Sequence, residues 1–382
     1  MNQKLKLSEL ASLSINKVIE SLSASYSKII NDGVDLNVFP SVMLWGQPGV
    51  GKSAAIKQIA LNIEKKTGKK VNVTDVRLLL FNPIDLRGIP VPDEEAGEKV
   101  ARWLKPLIFK LDPSDEVINI LFLDEISAAP QSVQAAAYQI TLDKRVGEHK
   151  LPNNTIVIAA GNRVSDHSVA YKMPKALSNR LLHFDVSCDF DNWKEWALKN
   201  NIHPLVLGFL SFRSDYLNTF DSSSDALAYA TPRSWEMVSN LLNYISEDIN
   251  KIYNQICGLV GAGVAVELRT WSKIYSRLPK VEDIFDGKQC EVPSNASELF
   301  ALSCQMVRYM KKHIDETERV INSIKYANGF PLDFAMVLLD QYLNSEPELA
   351  KRLMANPEFV RWMSKESSFR NGQLNGLFNS KH

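Results

Sequence analysis

Residues Gly46-Gln47-Pro48-Gly49-Val50-Gly51-Lys52-Ser53 fit the spacing G-x-x-x-x-G-K-[ST]. Each residue type in that run has a chemical reason. Glycines let backbone N–H groups turn inward around phosphate oxygens with no Cβ in the way. A helix that begins at the end of the run adds partial positive charge. Lys52 can then reach the β and γ phosphates of a nucleotide, and the Ser53 hydroxyl can ligate Mg²⁺. The context suits the motif. Apolar Val42–Trp45 reads as a strand leading in, and Ile56, Ile59, Ala60 and Ile63 form the i, i+3, i+4, i+7 stripe of a helix leading out. Gly46, Gln47, Pro48, Gly49, Val50, Gly51, Lys52 and Ser53 are therefore candidate ligands of ATP.

A second run, Ile120-Leu121-Phe122-Leu123-Asp124-Glu125, is an apolar strand that ends in two carboxylates. In a parallel sheet, ligands gather at the carboxyl ends of strands. Two adjacent acids at a strand tip are often only a solvated loop. With a phosphate loop upstream they take on roles: Asp124 holds Mg²⁺, directly or through water, and Glu125 polarises the water that attacks the γ-phosphate. A kinase for a small molecule needs a base for its acceptor more than a water-activating acid, so Glu125 speaks for hydrolysis.

The elements that must position these groups are also legible. Short apolar runs at Val42–Trp45, Val71–Leu78, Ile118–Leu123, Thr155–Ala160 and Leu181–Val186 alternate with helical patterns. Ile118–Leu123 and Thr155–Ala160 are nearly all apolar, as strands covered on both faces are. The fold class expected is α/β, a parallel P-loop sheet flanked by helices, followed by an all-helical unit. After about Asp189 the strand signal fades, and Asp191–Asn200, Arg233–Glu247, Ile249–Leu259 and Ser297–Lys312 look helical. The expected divisions are 1–40, an N-terminal helical segment; 41–189, the nucleotide-binding domain; 190–366, helical lid and C-terminal helices; and 367–382, a loose polar tail. Leu10, Leu13, Ile15, Val18, Ile19 and Leu22 recur at helical spacing, which predicts an amphipathic helix in place of a signal peptide.

Composition narrows the function class. The 44 Lys and Arg balance 44 Asp and Glu, which lowers the expectation of a dedicated duplex-DNA binder. Cys188, Cys257, Cys290 and Cys304 form no Cys-x-x-Cys pair and no zinc spacing. No run approaches the ~20 apolar residues needed to span a bilayer. The expectation is a cytoplasmic chain with no membrane partner.

These two motifs, together with segments downstream of them, resemble the AAA+ superfamily, and within it the MoxR-type ATPases. Thr155–Arg163 resembles the sensor-1 strand, which implies that Asn162 bonds the attacking water or the γ-phosphate. Met173–Arg180 is similar to the segment that ends in the arginine finger, so Arg180 would reach the ATP of a neighbouring subunit. The permanently charged fork of arginine suits that task. Arg163 is the competing candidate. Thr231-Pro232-Arg233-Ser234-Trp235 looks like sensor 2, with Thr231 as N-cap and Arg233 on the first turn of a helix in the second unit. Asp85–Pro92, an acidic turn and Val100–Leu104 look like the insertion hairpin of the MoxR group.

The resemblance implies an Mg²⁺-dependent ATP phosphohydrolase in which Glu125, Asn162, Arg180 and Arg233 act on ATP and Ser53 and Asp124 hold the metal. It implies self-assembly into a ring, a hexamer, and chaperone-like remodelling of a client or adaptor protein, including partners with a von Willebrand A domain. Two other classes stay open: a motor subunit on nucleic acid, and a nucleotide-gated scaffold with little turnover. The intact Glu125 counts against the scaffold.

Overall fold

The computed structural model describes residues 12–95, 97–163, 173, 178–345, 347–357 and 359–360. They pack as two compact units. One lies within Met1–Trp193 and includes Leu217–Trp235. The other lies within Lys194–Tyr216 and Glu236–His382.

The first unit is built on a parallel sheet. Its strands among the described residues are β1 (Ser12–Ser14), β2 (Val42–Trp45), β3 (Lys70–Arg77), β6 (Val117–Asp124), β9 (Thr155–Gly161) and β10 (Leu182–Ser187). Two separate antiparallel pairs account for the intervening numbers, β4 (Ile89–Glu95) with β5 (Glu98–Leu104) and β7 (Arg145–Val146) with β8 (His149–Lys150). The spatial order in the main sheet is β1-β10-β2-β9-β6-β3. Every pairing in it is parallel. The phosphate-loop strand β2 is thus flanked by β9 and β10, while β6 lies beyond β9.

Strand alternation divides the apolar residues between two faces. Val42, Leu44, Ile118, Ile120, Phe122, Ile156, Ile158 and Ala160 point to one side, where α1 (Ile15–Asn31) and α2 (Lys52–Thr67) cover them through Val18, Leu22, Ile56, Ile59 and Ile63. Met43, Leu121, Leu123, Val157 and Ala159 point to the other, against Val133, Ala137 and Ile140 of α4 (Gln131–Asp143). Burial on both faces is why these strands read as continuous apolar runs. A polar interruption, Asn119, is 1% exposed. Its amide is satisfied by Asp112 O at 2.7 Å and Asn154 Oδ1 at 3.1 Å.

Several boundaries differ from those expected. The first helix begins at Ile15, with Ser14 as its N-cap. Leu13 lies in β1, paired with Val186, and Leu10 lies outside the described residues. The serine hydroxyl at the cap accepts from Lys17 N in the first turn at 3.4 Å, so the helix starts there despite apolar spacing upstream. Residues Leu217–Trp235 pack with the first unit, although the division expected at 190 puts them in the second. The helix expected at Ile249–Leu259 spans Tyr253–Val260. Asp85–Arg87 belong to a short helix, α3 (Pro83–Arg87), and only β4 and β5 form the antiparallel hairpin. The tail from Ser367 lies outside the described residues.

The second unit is helical, with a core that includes Phe285, Leu302, Met306, Met310, Leu338 and Tyr342. No helix among the described residues is long and apolar enough to cross a membrane.

Phe122 is 1% exposed at the centre of the first unit, whereas Val73 on β3 is 39% exposed. Phe122→Ala is expected to destabilise that unit by about 3–5 kcal/mol, and Val73→Ala by less than about 1 kcal/mol. Urea denaturation of the two variants checks this, and equal costs would contradict the assigned faces.

Candidate nucleotide-binding site

The sheet brings the two sequence motifs together at the carboxyl ends of β2 and β6. The loop after β2 keeps its shape through glycine. Gly49 and Gly51 have φ of 79° and 99°, in the left-handed region that favours glycine. A Cβ on Gly49 would sit 2.9 Å from Thr231 Cβ and Oγ1, and one on Gly46 would sit 2.9 Å from Val186 O. The loop is therefore closely backed by its surroundings at two points.

Lys52 opens α2 and is 9% exposed. Its ammonium donates to Gly46 O at 2.5 Å, Gln47 O at 2.9 Å and Asn162 Oδ1 at 3.1 Å. A buried ammonium needs such oxygens, and phosphate oxygens are of the same kind. One residue on, Ser53 Oγ donates to Asp124 Oδ2 at 2.9 Å. The helix start and the tip of β6 thus share one polar centre. Asp124 Oδ1 accepts from the backbone N–H of Glu125 at 2.9 Å.

Glu125 is exposed and has φ of 58°, unusual for a residue with a Cβ. The backbone around it is over-determined. Its carbonyl accepts from Ala128 N at 3.0 Å and Ala129 N at 3.2 Å, while Ile126 N donates to Ala160 O at 3.0 Å on β9. Strain held in this way costs on the order of 1–3 kcal/mol and collects at functional sites.

Asn162 comes directly after β9. Its backbone N–H donates to Ser127 Oγ at 2.9 Å. Ser127 is 2% exposed, and a Cβ on Gly161 would stand 2.8 Å from that hydroxyl. Gln134 of α4 holds the same loop by donating to Ser127 O at 3.2 Å and Ala129 O at 3.0 Å. Ser127, Gly161 and Gln134 thus position Asn162 beside Lys52. Sequence reasoning missed them, since their importance lies in a close approach between β6 and β9 and no local pattern announces it.

The three arginines have different surroundings. Arg163 donates to Asp185 of β10, with Nε at 2.5 Å and a second bond from its Nη2 to the same carboxylate oxygen, and also to Val186 O at 3.4 Å. Arg180 is exposed on the turn before β10 and makes no ion pair among the described residues. The preceding segment is described only at Met173 and from Ser178 onward, so Pro174–Leu177 lie outside the described residues. Arg233 is exposed on the first turn of the helix Pro232–Tyr244. Thr231 starts that helix through a reciprocal pair, Ser234 N to Thr231 Oγ1 at 3.1 Å and Thr231 N to Ser234 Oγ at 2.8 Å. Because Thr231 also abuts Gly49, the turn bearing Arg233 starts against the phosphate loop. Asn218 adds a further tie, donating to Gln47 Oε1 at 2.7 Å.

Two of the cysteines are poor candidates for chemistry. Burial raises the thiols of Cys188 and Cys304 to about 12, which keeps them protonated and poor nucleophiles at neutral pH. Among the described residues no three or more His, Cys, Asp or Glu side chains gather as a metal cage. A cation held by one hydroxyl, one carboxylate, phosphate and water matches the habit of Mg²⁺, and the Ser53–Asp124 pair would fit as those two protein oxygens.

Residues 41–183 match the ATPase family associated with various cellular activities (AAA). Over 145 residues the chain is 30% identical to the chaperone MoxR1 of Mycobacterium tuberculosis, a match that covers 37% of this chain and 34% of that protein. Residues 41–183 are thus similar to AAA ATPase domains, that of a MoxR-type chaperone among them. Members of the AAA+ family are nucleotide-binding ATPases in general. The match reaches about a third of the length of its MoxR relative. Distant structural likenesses include PCH-2 of C. elegans, at 15% identity, 69% and 70% coverage of the two chains and a TM-score of 0.34. A RuvB variant from Thermotoga maritima has 15% identity, 80% and 77% coverage and a TM-score of 0.33.

The φ of Glu125 gives a test independent of nucleotide. A residue with a Cβ in the left-handed region carries a cost that glycine escapes. Glu125→Gly is expected to be more stable than Glu125→Ala by about 0.5–1 kcal/mol, after allowance for the greater chain entropy of glycine. Equal denaturant midpoints for the two variants would show that the strand tip holds no strain.

Proposed function

We propose that this protein hydrolyses ATP in an Mg²⁺-dependent reaction as a ring oligomer, a hexamer, and uses the cycle for chaperone-like remodelling of a recruited client or adaptor protein, including partners that carry a von Willebrand A domain. The observation that carries the reading is the meeting of Lys52, Ser53, Asp124 and Asn162 at neighbouring strand ends, with Glu125 adjoining Asp124.

Each residue then has a role. The loop amides of Gly46–Gly51 and the ammonium of Lys52 take the phosphate oxygens. Ser53 and Asp124 would hold the metal ion, whose positive charge would offset that of the phosphates. Glu125 orients the attacking water and draws off its proton, and the Asn162 amide positions that water or the γ-phosphate. Catalysis is mostly positioning and charge stabilisation. Arg233 contacts the γ-phosphate from the helix that starts against Gly49.

Arg180 acts in trans on the nucleotide of the neighbouring subunit. Its exposure supports this, and so does the engagement of Arg163 by Asp185 of its own sheet. A guanidinium already paired to a carboxylate has less to offer a phosphate.

Two variants separate binding from turnover. Glu125→Gln is expected to keep ATP affinity within a few-fold and to lose ~10²-fold or more in phosphate release, the scale of a positioned base. Lys52→Ala is expected to lose ATP affinity itself, read by calorimetric titration. Unchanged turnover in the first would overturn the role of Glu125, and near-normal affinity in the second would overturn the phosphate loop.

A further inference from the structure

Trp45, the last residue of β2, immediately precedes the phosphate loop. An indole N–H can only donate, and this one donates to His183 Nδ1 on β10 at 2.9 Å. Nδ1 must then be the bare nitrogen, so a neutral ring carries its proton on Nε2. That second nitrogen lies 2.7 Å from Ser178 O and 3.2 Å from Ser178 Oγ. Since Nε2–H can donate to the carbonyl, one tautomer satisfies both ends of the bridge. The two ring planes lie 18° from parallel with centroids 6.1 Å apart, as suits an in-plane hydrogen bond.

The bridge has a definite location. Ser178 O begins the turn that holds Asn179 and Arg180, and it also accepts from Leu181 N at 3.4 Å. Beyond the turn, Leu182 N donates to Ser41 O at 3.0 Å, just ahead of β2. The chain bearing Arg180 is therefore tied to the phosphate-loop strand on both sides, by backbone at Leu182 and by the imidazole at Ser178.

We propose that His183 is a positioning residue that fixes the turn bearing Arg180 to the strand leading into the phosphate loop, so that the arginine a subunit presents to its neighbour is held in place from its own sheet. The proposal rests on the reading of Arg180 as an arginine finger acting in trans. His183 touches no reacting atom. Its effect passes through Ser178 and Trp45 and falls on turnover, leaving ATP affinity in place.

His183→Leu removes both hydrogen bonds. It is expected to lower kcat by ~10–10²-fold, since a displacement of about 1 Å at a positioned group can cost that much, with KM for ATP nearly unchanged. His183→Gln, whose amide can accept from the indole and donate to Ser178 O, should recover part of the loss.

Subunit mixing then locates the defect. The reference mixture of Arg180→Ala with Lys52→Ala should regain activity where an intact phosphate loop faces an intact finger. If it stays silent in mixed assemblies, the finger reading itself fails. With the reference active, His183→Leu mixed with Lys52→Ala should also regain activity, and His183→Leu mixed with Arg180→Ala should not. The reverse pattern would show that His183 serves its own phosphate loop and would overturn the proposal, as would an unchanged kcat. If His183→Leu fails to fold, ¹⁵N imidazole spectra of the wild-type protein decide. An Nε2–H tautomer sustains the bridge, and an Nδ1–H ring or a rapidly exchanging mixture overturns it.

Discussion

The structure around the site depends on where the Lys52 ammonium can be held. It is largely buried, and its hydrogen bonds run to Gly46 O, Gln47 O and Asn162 Oδ1. A buried cation without such partners would be costly. Those oxygens come from two places, the loop after β2 and the residue after β9. Strands β2 and β9 must therefore be neighbours in register, which the pairing of Trp45 with Gly161 provides. Phosphate oxygens entering the loop would compete for the same ammonium donors, which would link a bound nucleotide to Asn162.

Close approach is the second condition. Gly46, Gly49 and Gly161 each lie where a Cβ would come within 3.0 Å of Val186, Thr231 or Ser127. The site is thus assembled by backbone packing as much as by side-chain chemistry. Glu125 is the exception, a residue with a Cβ held at positive φ between Asp124 and the carbonyl of Ala160 on β9. The surrounding hydrogen bonds keep it there, and backbone strain held in this way collects at functional sites.

Legibility in the sequence tracks the range of the interactions. The strands around Phe122 and Ile158 are readable since burial on both faces leaves an unbroken apolar run. The phosphate loop and the Asp124–Glu125 pair are readable because their chemistry fixes residue types at short spacing. Strand β1 is not, for three residues paired to β10 leave no periodicity, and its Leu13 fits helical spacing equally well. Ser127, Asp185 and His183 also escape a sequence reading. Each acts on a partner 20 or more residues away or on a neighbouring strand, so only the folded sheet reveals the pairing. The second unit is expected to begin at 190, yet the sheet unit recruits Leu217–Trp235 through contacts such as Thr231 with Gly49, which no local pattern marks.

On the proposed reading, the catalytic site would be completed by a second copy of the chain. Specific ATPase activity measured against protein concentration, with sedimentation at the same concentrations, tests it most directly. Activity per subunit is expected to be near zero for the monomer and to rise as the oligomer forms, in step with the assembled fraction, if the nucleotide site of each subunit needs the arginine of the next. Activity per subunit that stays constant down to concentrations at which only monomer sediments would contradict the account.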